Sequence, residues 1–147
     1  MGQFNYSSAR ARNGAYSVQL NAPSSGSWAA VGRLVSVHNA ATSCLTNIFV
    51  KSGSGPLSGA LEVIDPATWT YFALKQFTIT NAQAGAWVPM TTDAWKISPG
   101  RPPVYVRLAI GYGDGAETAY VDDMTTECWQ GVPGKNWVVT QKLTFAF

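Results

Sequence analysis

The sequence predicts an all-β protein, an antiparallel β-sandwich of about nine or ten strands, and three observations carry that expectation. Apolar and polar residues alternate over short runs, most cleanly where Val104, Val106, Leu108 and Ile110 fall on one face and Tyr105, Arg107 and Ala109 on the other; this is the period of a half-buried strand. Clusters of Gly, Pro, Ser and Asn separate the runs, as turns between strands require. No window of a dozen residues carries a helical stripe, and a chain with only 12% charged residues but six each of Trp, Tyr and Phe favours strands over helices. Residues 1–147 read as one domain, long enough to close a single core. No period of about 20 to 50 residues repeats, which argues against a solenoid or propeller.

The elements follow in order. Residues 1–13 form a leading loop in which Arg10 and Arg12 precede a turn at Asn13-Gly14. Tyr16, Val18 and Leu20 then alternate with Ser17, Gln19 and Asn21 in a first strand, ended by the Pro23 to Ser27 loop, with Trp28 directly after it. Leu34 to His38 is a second strand and Cys44 to Lys51 a third, in which Thr46, Ile48 and Val50 oppose Leu45, Asn47 and Phe49. Leu57 to Asp65 is a fourth, containing Glu62 and stopping at Asp65-Pro66 because the residue before proline is turned away from regular continuation. Next come two aromatic-dense runs, Trp69 to Phe72 and Phe77 to Ile79, with Trp69 and Tyr71 on one face and Phe72 and Leu74 on the other; one of those sets is core. Trp87 and Trp95 bracket a further strand, and Trp137 to Phe147 is the last. So many short strands favour a jelly roll over an immunoglobulin-type sandwich.

The stretch from Pro103 to Met124 organises the rest. Its first strand has a dry face and a face carrying a phenol and a guanidinium, and Gly111, Gly113, Asp114 and Gly115 then supply a reversing turn. The run Thr118 to Met124 is expected to pair back antiparallel onto the first. It contains Asp122-Asp123, two carboxylates too costly to bury unless a cation, backbone N–H groups or solvent meets them.

Several function classes are disfavoured by composition. Ten Lys and Arg residues are scattered without a run, and a net charge of +2 leaves no electrostatic footprint for nucleic acid. No apolar run approaches the ~18 residues that span a bilayer. The Met1-Gly2 start lacks the layout of a signal peptide, so the chain reads either as intracellular or as a module from a larger secreted protein. Cys44 and Cys128 lack metal-ligand spacing and leave two readings open, buried small hydrophobes or one disulfide worth about 4 kcal/mol in the chain-entropy model. Enzyme signatures are missing: no GxSxG, HExxH or phosphate loop occurs, and the lone His38 reads as a surface or capping residue. A carboxylate-pair glycosidase stays formally open through Glu62, Asp65, Asp93, Glu117 and Glu127.

Asn13-Gly-Ala-Tyr-Ser-Val-Gln-Leu20, the run Leu34 to Lys51, a Trp87-led strand, the Pro-rich turn into Val104-Tyr-Val-Arg-Leu108, and Ala119-Tyr-Val-Asp-Asp-Met124 together resemble the jelly-roll carbohydrate-binding modules of families four, nine and twenty-two, within the galactose-binding-like fold. The resemblance covers about residues 13–124. Cys44 stands where such modules usually carry a tyrosine, the acidic residue common near their N-terminus is missing, and Trp129 to Phe147 extends past their usual end. The resemblance implies a non-catalytic module that binds a polysaccharide on the concave sheet and targets an attached glycoside-active enzyme, in a secreted protein. It also implies a structural calcium at Asp122 and Asp123, Asp122 foremost, completed by carbonyls of the Asn13-Gly14 loop; the alternative is capping by backbone N–H groups or by Arg10 or Arg12. The secreted origin so implied, with each cysteine at the buried end of a strand, leads to the expectation that Cys44 and Cys128 lie on neighbouring strands and bond in an oxidising compartment. The rival function is a structural or interaction jelly roll of surface-layer, capsid or adhesin type.

A sugar site needs flat aromatic surfaces beside amide, carboxylate and guanidinium groups. By alternation, the open face of the Tyr105 and Arg107 strand is expected to gather Gln19, Asn47, Glu62, Trp69 and Tyr71. The alternative is that Trp69 packs in the core and Arg107 only pairs with Glu62 across strands.

Overall fold

The computed structural model describes residues 3–7, 12, 17–37, 41, 43–53, 55–96, 103–113, 115–132 and 135–145. Among the described residues, ten strands form two antiparallel sheets: β1 (Gln3–Ser7), β2 (Ser17–Ala22), β3 (Ala29–Val35), β4 (Ser43–Ser52), β5 (Leu57–Ile64), β6 (Tyr71–Ile79), β7 (Trp87–Thr91), β8 (Val104–Ile110), β9 (Glu117–Val132) and β10 (Lys135–Phe145). The larger sheet runs β1-β2-β9-β4-β7 with β10 also on β9, and the smaller runs β3-β8-β5-β6. This is the expected jelly-roll sandwich.

The alternation in the sequence sets the core. Val104, Val106, Leu108 and Ile110 from β8, with Leu57, Leu61 and Val63 from β5, meet Val18, Leu20, Ile48, Val50, Val121 and Met124 from the larger sheet in one buried cluster. Close packing there makes each large side chain worth about 2–5 kcal/mol against truncation to Ala. Trp95 closes one end, pairing its backbone with Cys44 and lying 6.3 Å from the Phe72 ring. Cys44 and Cys128 are register partners in β4 and β9 and are joined by a disulfide, as expected for an oxidising compartment.

Gln3–Ser7, read as part of a leading loop, is a strand, β1, held in unbroken antiparallel register against β2; three further local expectations are corrected. The strand expected over Leu34 to His38 begins earlier, at Ala29, because Ala29 to Val35 pairs in unbroken register with β8; the small residues Ala29, Ala30 and Gly32 hid it, and His38 lies outside the described residues. Phe72 and Leu74 do not share a face. A register shift between Val63 and Ile64 inserts Phe72 as an extra residue, so Phe72 packs on the core while Leu74 stands exposed beside Glu62.

The third correction concerns the organising stretch. Thr118 to Met124 does not pair back onto Val104 to Ile110; β8 belongs to the smaller sheet and β9 to the larger. The Gly-rich segment is a crossover between layers, because both runs have a buried apolar face and the two bury it against each other across the core. The Glu117 carboxylate fixes the crossover by accepting the Gly111 N–H at 2.7 Å and the Ser58 N–H at 3.0 Å. Gly111, at φ 108°, lies so near the loop before β3 that a Cβ there would meet the Ser27 carbonyl oxygen at 2.2 Å. The Trp28 loop and the Tyr112 loop are thereby held side by side.

Candidate ligand-binding face

The outer face of the smaller sheet collects most of the residues read as a site. Tyr105 and Arg107 of β8 point outward, and the register places Arg107 directly across from Glu62 on β5, with Leu74 of β6 on the far side of Glu62. Glu62 is 1% exposed, yet it sits on the outer face. Its Oε2 accepts the Arg107 Nε–H at 2.5 Å, and its Oε1 accepts longer bonds from the Tyr112 hydroxyl at 3.3 Å and the Tyr71 hydroxyl at 3.4 Å. A buried carboxylate without such partners is strongly destabilising. The Tyr112 phenol is shifted upward by its own burial and then by the negative charge and hydrogen bond of Glu62.

Aromatic rings wall this polar centre. Trp69 is 59% exposed, stands edge-on to Tyr105 with centroids 6.4 Å apart, and has the Arg107 guanidinium 5.7 Å from its ring; Trp28 has the same guanidinium at 5.8 Å. The Trp69 backbone is in the left-handed region, φ 56°, a costly state for a bulky residue. The Asp65 turn enforces it: the Asp65 carbonyl accepts the Trp69 N–H at 2.8 Å, its own N–H donates to the Thr70 carbonyl at 2.9 Å, and its side chain accepts the Ala67 N–H at 2.9 Å. Gly32 leaves room for the Tyr105 ring, since a Cβ there would meet Tyr105 Cζ at 2.8 Å.

Two clefts flank Tyr112. One of about 330 Å³ is lined by Trp28, Arg107, Ala109 and Gly111, and one of about 230 Å³ by Ser58, Gly59, Gln76, Phe77 and Thr78, with Tyr112 on the wall of both. Together they cross the strands along one end of the face. Trp28 and Tyr112 were outside the alternation-based set because they lie in loops, where side-chain direction has no period. What the sequence shows of them is position: Trp28 directly precedes β3, and Tyr112 stands between Gly111 and Gly113, two residues past the end of β8.

Five of the expected ligand residues, Glu62, Trp69, Tyr71, Tyr105 and Arg107, come together on this face. Gln19 and Asn47 do not. Both point outward as alternation required, but β2 and β4 belong to the larger sheet, so the core separates them from Arg107. Gln19 donates to Asn21 at 3.4 Å, and Asn47 accepts from the Thr91 hydroxyl at 2.7 Å. The carboxylates of the formal glycosidase reading are dispersed as well: Glu117 holds the crossover, and Glu127 stands on the larger sheet between Leu45 and Lys142.

Asp122 and Asp123, expected to hold calcium, are buried at a bulge in β9 where Asp123 has φ 50° and the register with β4 shifts. The Asp122 Oδ1 accepts the Asp123 N–H at 2.9 Å and its Oδ2 accepts the Arg12 N–H at 3.0 Å, while the Arg12 guanidinium bonds Asp123. Calcium takes six to eight oxygens; the contacts described on these carboxylates come from N–H groups and a guanidinium. Asn13, Gly14 and Arg10 lie outside the described residues.

No protein-family model and no curated protein matches this sequence. Solved structures do. The xylan-binding CBM22-1 domain of Paenibacillus barcinonensis Xyn10C is similar at 15% identity and TM-score 0.62, over 89% of this chain and 83% of that one. TmCBM61, solved with β-1,4-galactotriose, is similar at 14% identity and TM-score 0.56, over 85% of this chain and 86% of that one. An arabinose-bound α-L-arabinofuranosidase, MgGH51, is similar at 15% identity and TM-score 0.62; 85% of this chain corresponds to only 22% of that much longer one. At such identities the likeness is one of fold, the jelly roll of carbohydrate-binding modules.

Proposed function

We propose that the outer face of the β3-β8-β5-β6 sheet binds a neutral polysaccharide and that the chain is a carbohydrate-binding module. The observation that carries this reading is the pairing of a buried carboxylate, Glu62, with the partly exposed Arg107 at the centre of a face whose aromatic rings are exposed. A stability role alone gives little reason for Trp28, Trp69, Tyr71 and Tyr112 to stand around it in solvent. Their rings offer stacking surfaces for the CH faces of sugars. Arg107 uses Nε for Glu62, and its remaining N–H groups, at the wall of the larger cleft, are suited to adjacent hydroxyls. The two phenols, held to Glu62 by long bonds, can exchange that contact for a sugar hydroxyl at small cost. Arg107 and Glu62 cancel in charge, which favours neutral sugars over uronates.

Xylan and β-1,4-linked galactose oligomers are the first ligands to test, because one protein of the same fold is a xylan-binding domain and another was solved with β-1,4-galactotriose. A role in targeting an attached glycoside-active enzyme is supported by the placement of this fold within a longer arabinofuranosidase chain, and an extracellular location by the disulfide. Affinity electrophoresis on a panel of soluble polysaccharides tests the reading. Trp69→Ala should lose about 2 kcal/mol, hot-spot size, or roughly 30-fold in Kd, and Tyr105→Ala less, both with unchanged circular dichroism. Variants retarded as strongly as wild type on every retarding polysaccharide would remove this face from consideration.

A further inference from the structure

The bulge at Asp122 and Asp123 coincides with a seam in the larger sheet. On that edge of β9 the register with β2 ends at Val121, and the register with β10 begins at Met124. Among the described residues, Asp122 and Asp123 fall in the interval between these two registers. Arg12 fills it: the backbone N–H meets Asp122 at 3.0 Å, the guanidinium meets Asp123, and the same guanidinium lies 3.5 Å above the centroid of Phe49, the β4 residue opposite Asp122.

We propose that Arg12 is the built-in cation of this seam, doing the work that the family resemblance would give to calcium, so that the domain is structurally independent of divalent metal. A guanidinium satisfies the geometry in a way an ion cannot. It supplies directed N–H bonds to one carboxylate while its flat face rests on an aromatic ring, which offers no oxygen to a metal. A calcium ion beside it would be repelled by the guanidinium and would need oxygens where N–H groups now point. The aspartates are 0% and 7% exposed, so their charge must be compensated within the fold.

The test uses the whole chain and two readouts besides ligand binding. Bound metal is measured after dialysis, and melting temperature is followed in excess chelator and in millimolar calcium. The expected result is no stoichiometric calcium and a wild-type melting temperature moved by less than about 2 °C by either addition. Arg12→Ala should melt lower than wild type by several degrees, because the buried Asp123 carboxylate loses its guanidinium, although the Arg12 side chain is itself 31% exposed. Stoichiometric calcium in the purified protein, a chelator-induced fall in wild-type melting temperature, or an Arg12→Ala variant that melts like wild type would each overturn the proposal. The metal measurement and chelator scan need no variant, so they decide the matter even if Arg12→Ala does not fold.

Discussion

Among the described residues, two arginine and carboxylate sites are built from the same parts in different surroundings. At Glu62 a guanidinium meets a carboxylate buried on the outer face of one sheet, between the rings of Trp28 and Trp69. At Asp122 and Asp123 a guanidinium meets buried carboxylates at a bulge in the other sheet, against Phe49. The difference lies in what surrounds them. Arg107 is on a regular strand, held by one bond through Nε, and adjoins a cleft. Arg12 comes from the connection between β1 and β2 and meets the two aspartates with both its backbone and its side chain. One pair is a platform facing outward, and the other is a rivet.

Removing the cation from the platform should have the largest effect. Arg107→Ala leaves Glu62 buried with only two long phenol bonds, so the urea midpoint should fall by the equivalent of about 3 kcal/mol, with polysaccharide retardation lost as well. A variant that lost binding but kept its full urea stability would show that the platform, unlike the rivet, carries no structural load.

A smaller change sharpens the outward-facing half. Tyr112→Phe removes one weak bond to Glu62 and one prospective sugar contact, so its Kd should rise by roughly 5-fold, the worth of one ordinary hydrogen bond. Its alkaline behaviour gives a second reading. The folded phenol holds its proton above the ordinary tyrosine value, while the unfolded one releases it there. The native state therefore binds more protons in that window, and stability falls as pH rises through it. Tyr112→Phe should lose less stability than wild type over the same alkaline range in parallel urea titrations.

The smallest effect belongs to the opposite sheet. Gln19→Ala and Asn47→Ala should each change binding by less than about 0.5 kcal/mol, as surface substitutions away from a site do. Loss of retardation in either would mean that the larger sheet, rather than the platform, meets the ligand.

How far the sequence revealed this arrangement follows from which features have a period. Alternation put Tyr105 and Arg107 opposite Val106 and Leu108, and it turned Gln19 and Asn47 outward correctly. It carried no information on sheet membership, because facing outward looks the same on either layer. The fate of Thr118 to Met124 was hidden for the same reason, since adjacency in sequence suggests a hairpin and only the shared core dictates a crossover. Leu74 was misassigned because the extra residue at Phe72 inverts the pattern beyond it. Trp28 and Tyr112 reach the platform through loops packed at Gly111, a contact between segments some 80 residues apart, which local patterning does not encode. The Arg12 contact was legible as one of several ways to compensate Asp122 and Asp123; its selection depended on the seam between β2 and β10.

The bond between Cys44 and Cys128 is also a clock. With two cysteines in the chain, separated by 84 residues, no mispaired intramolecular isomer exists. The thiols meet when β4 and β9 come into register, the central pairing of the larger sheet. Such a non-local pairing is the slow kind of event in β-protein folding. Quenching free thiols at intervals during oxidative refolding would therefore time the assembly of that sheet directly, with each chain marked covalently at the moment its two middle strands first align.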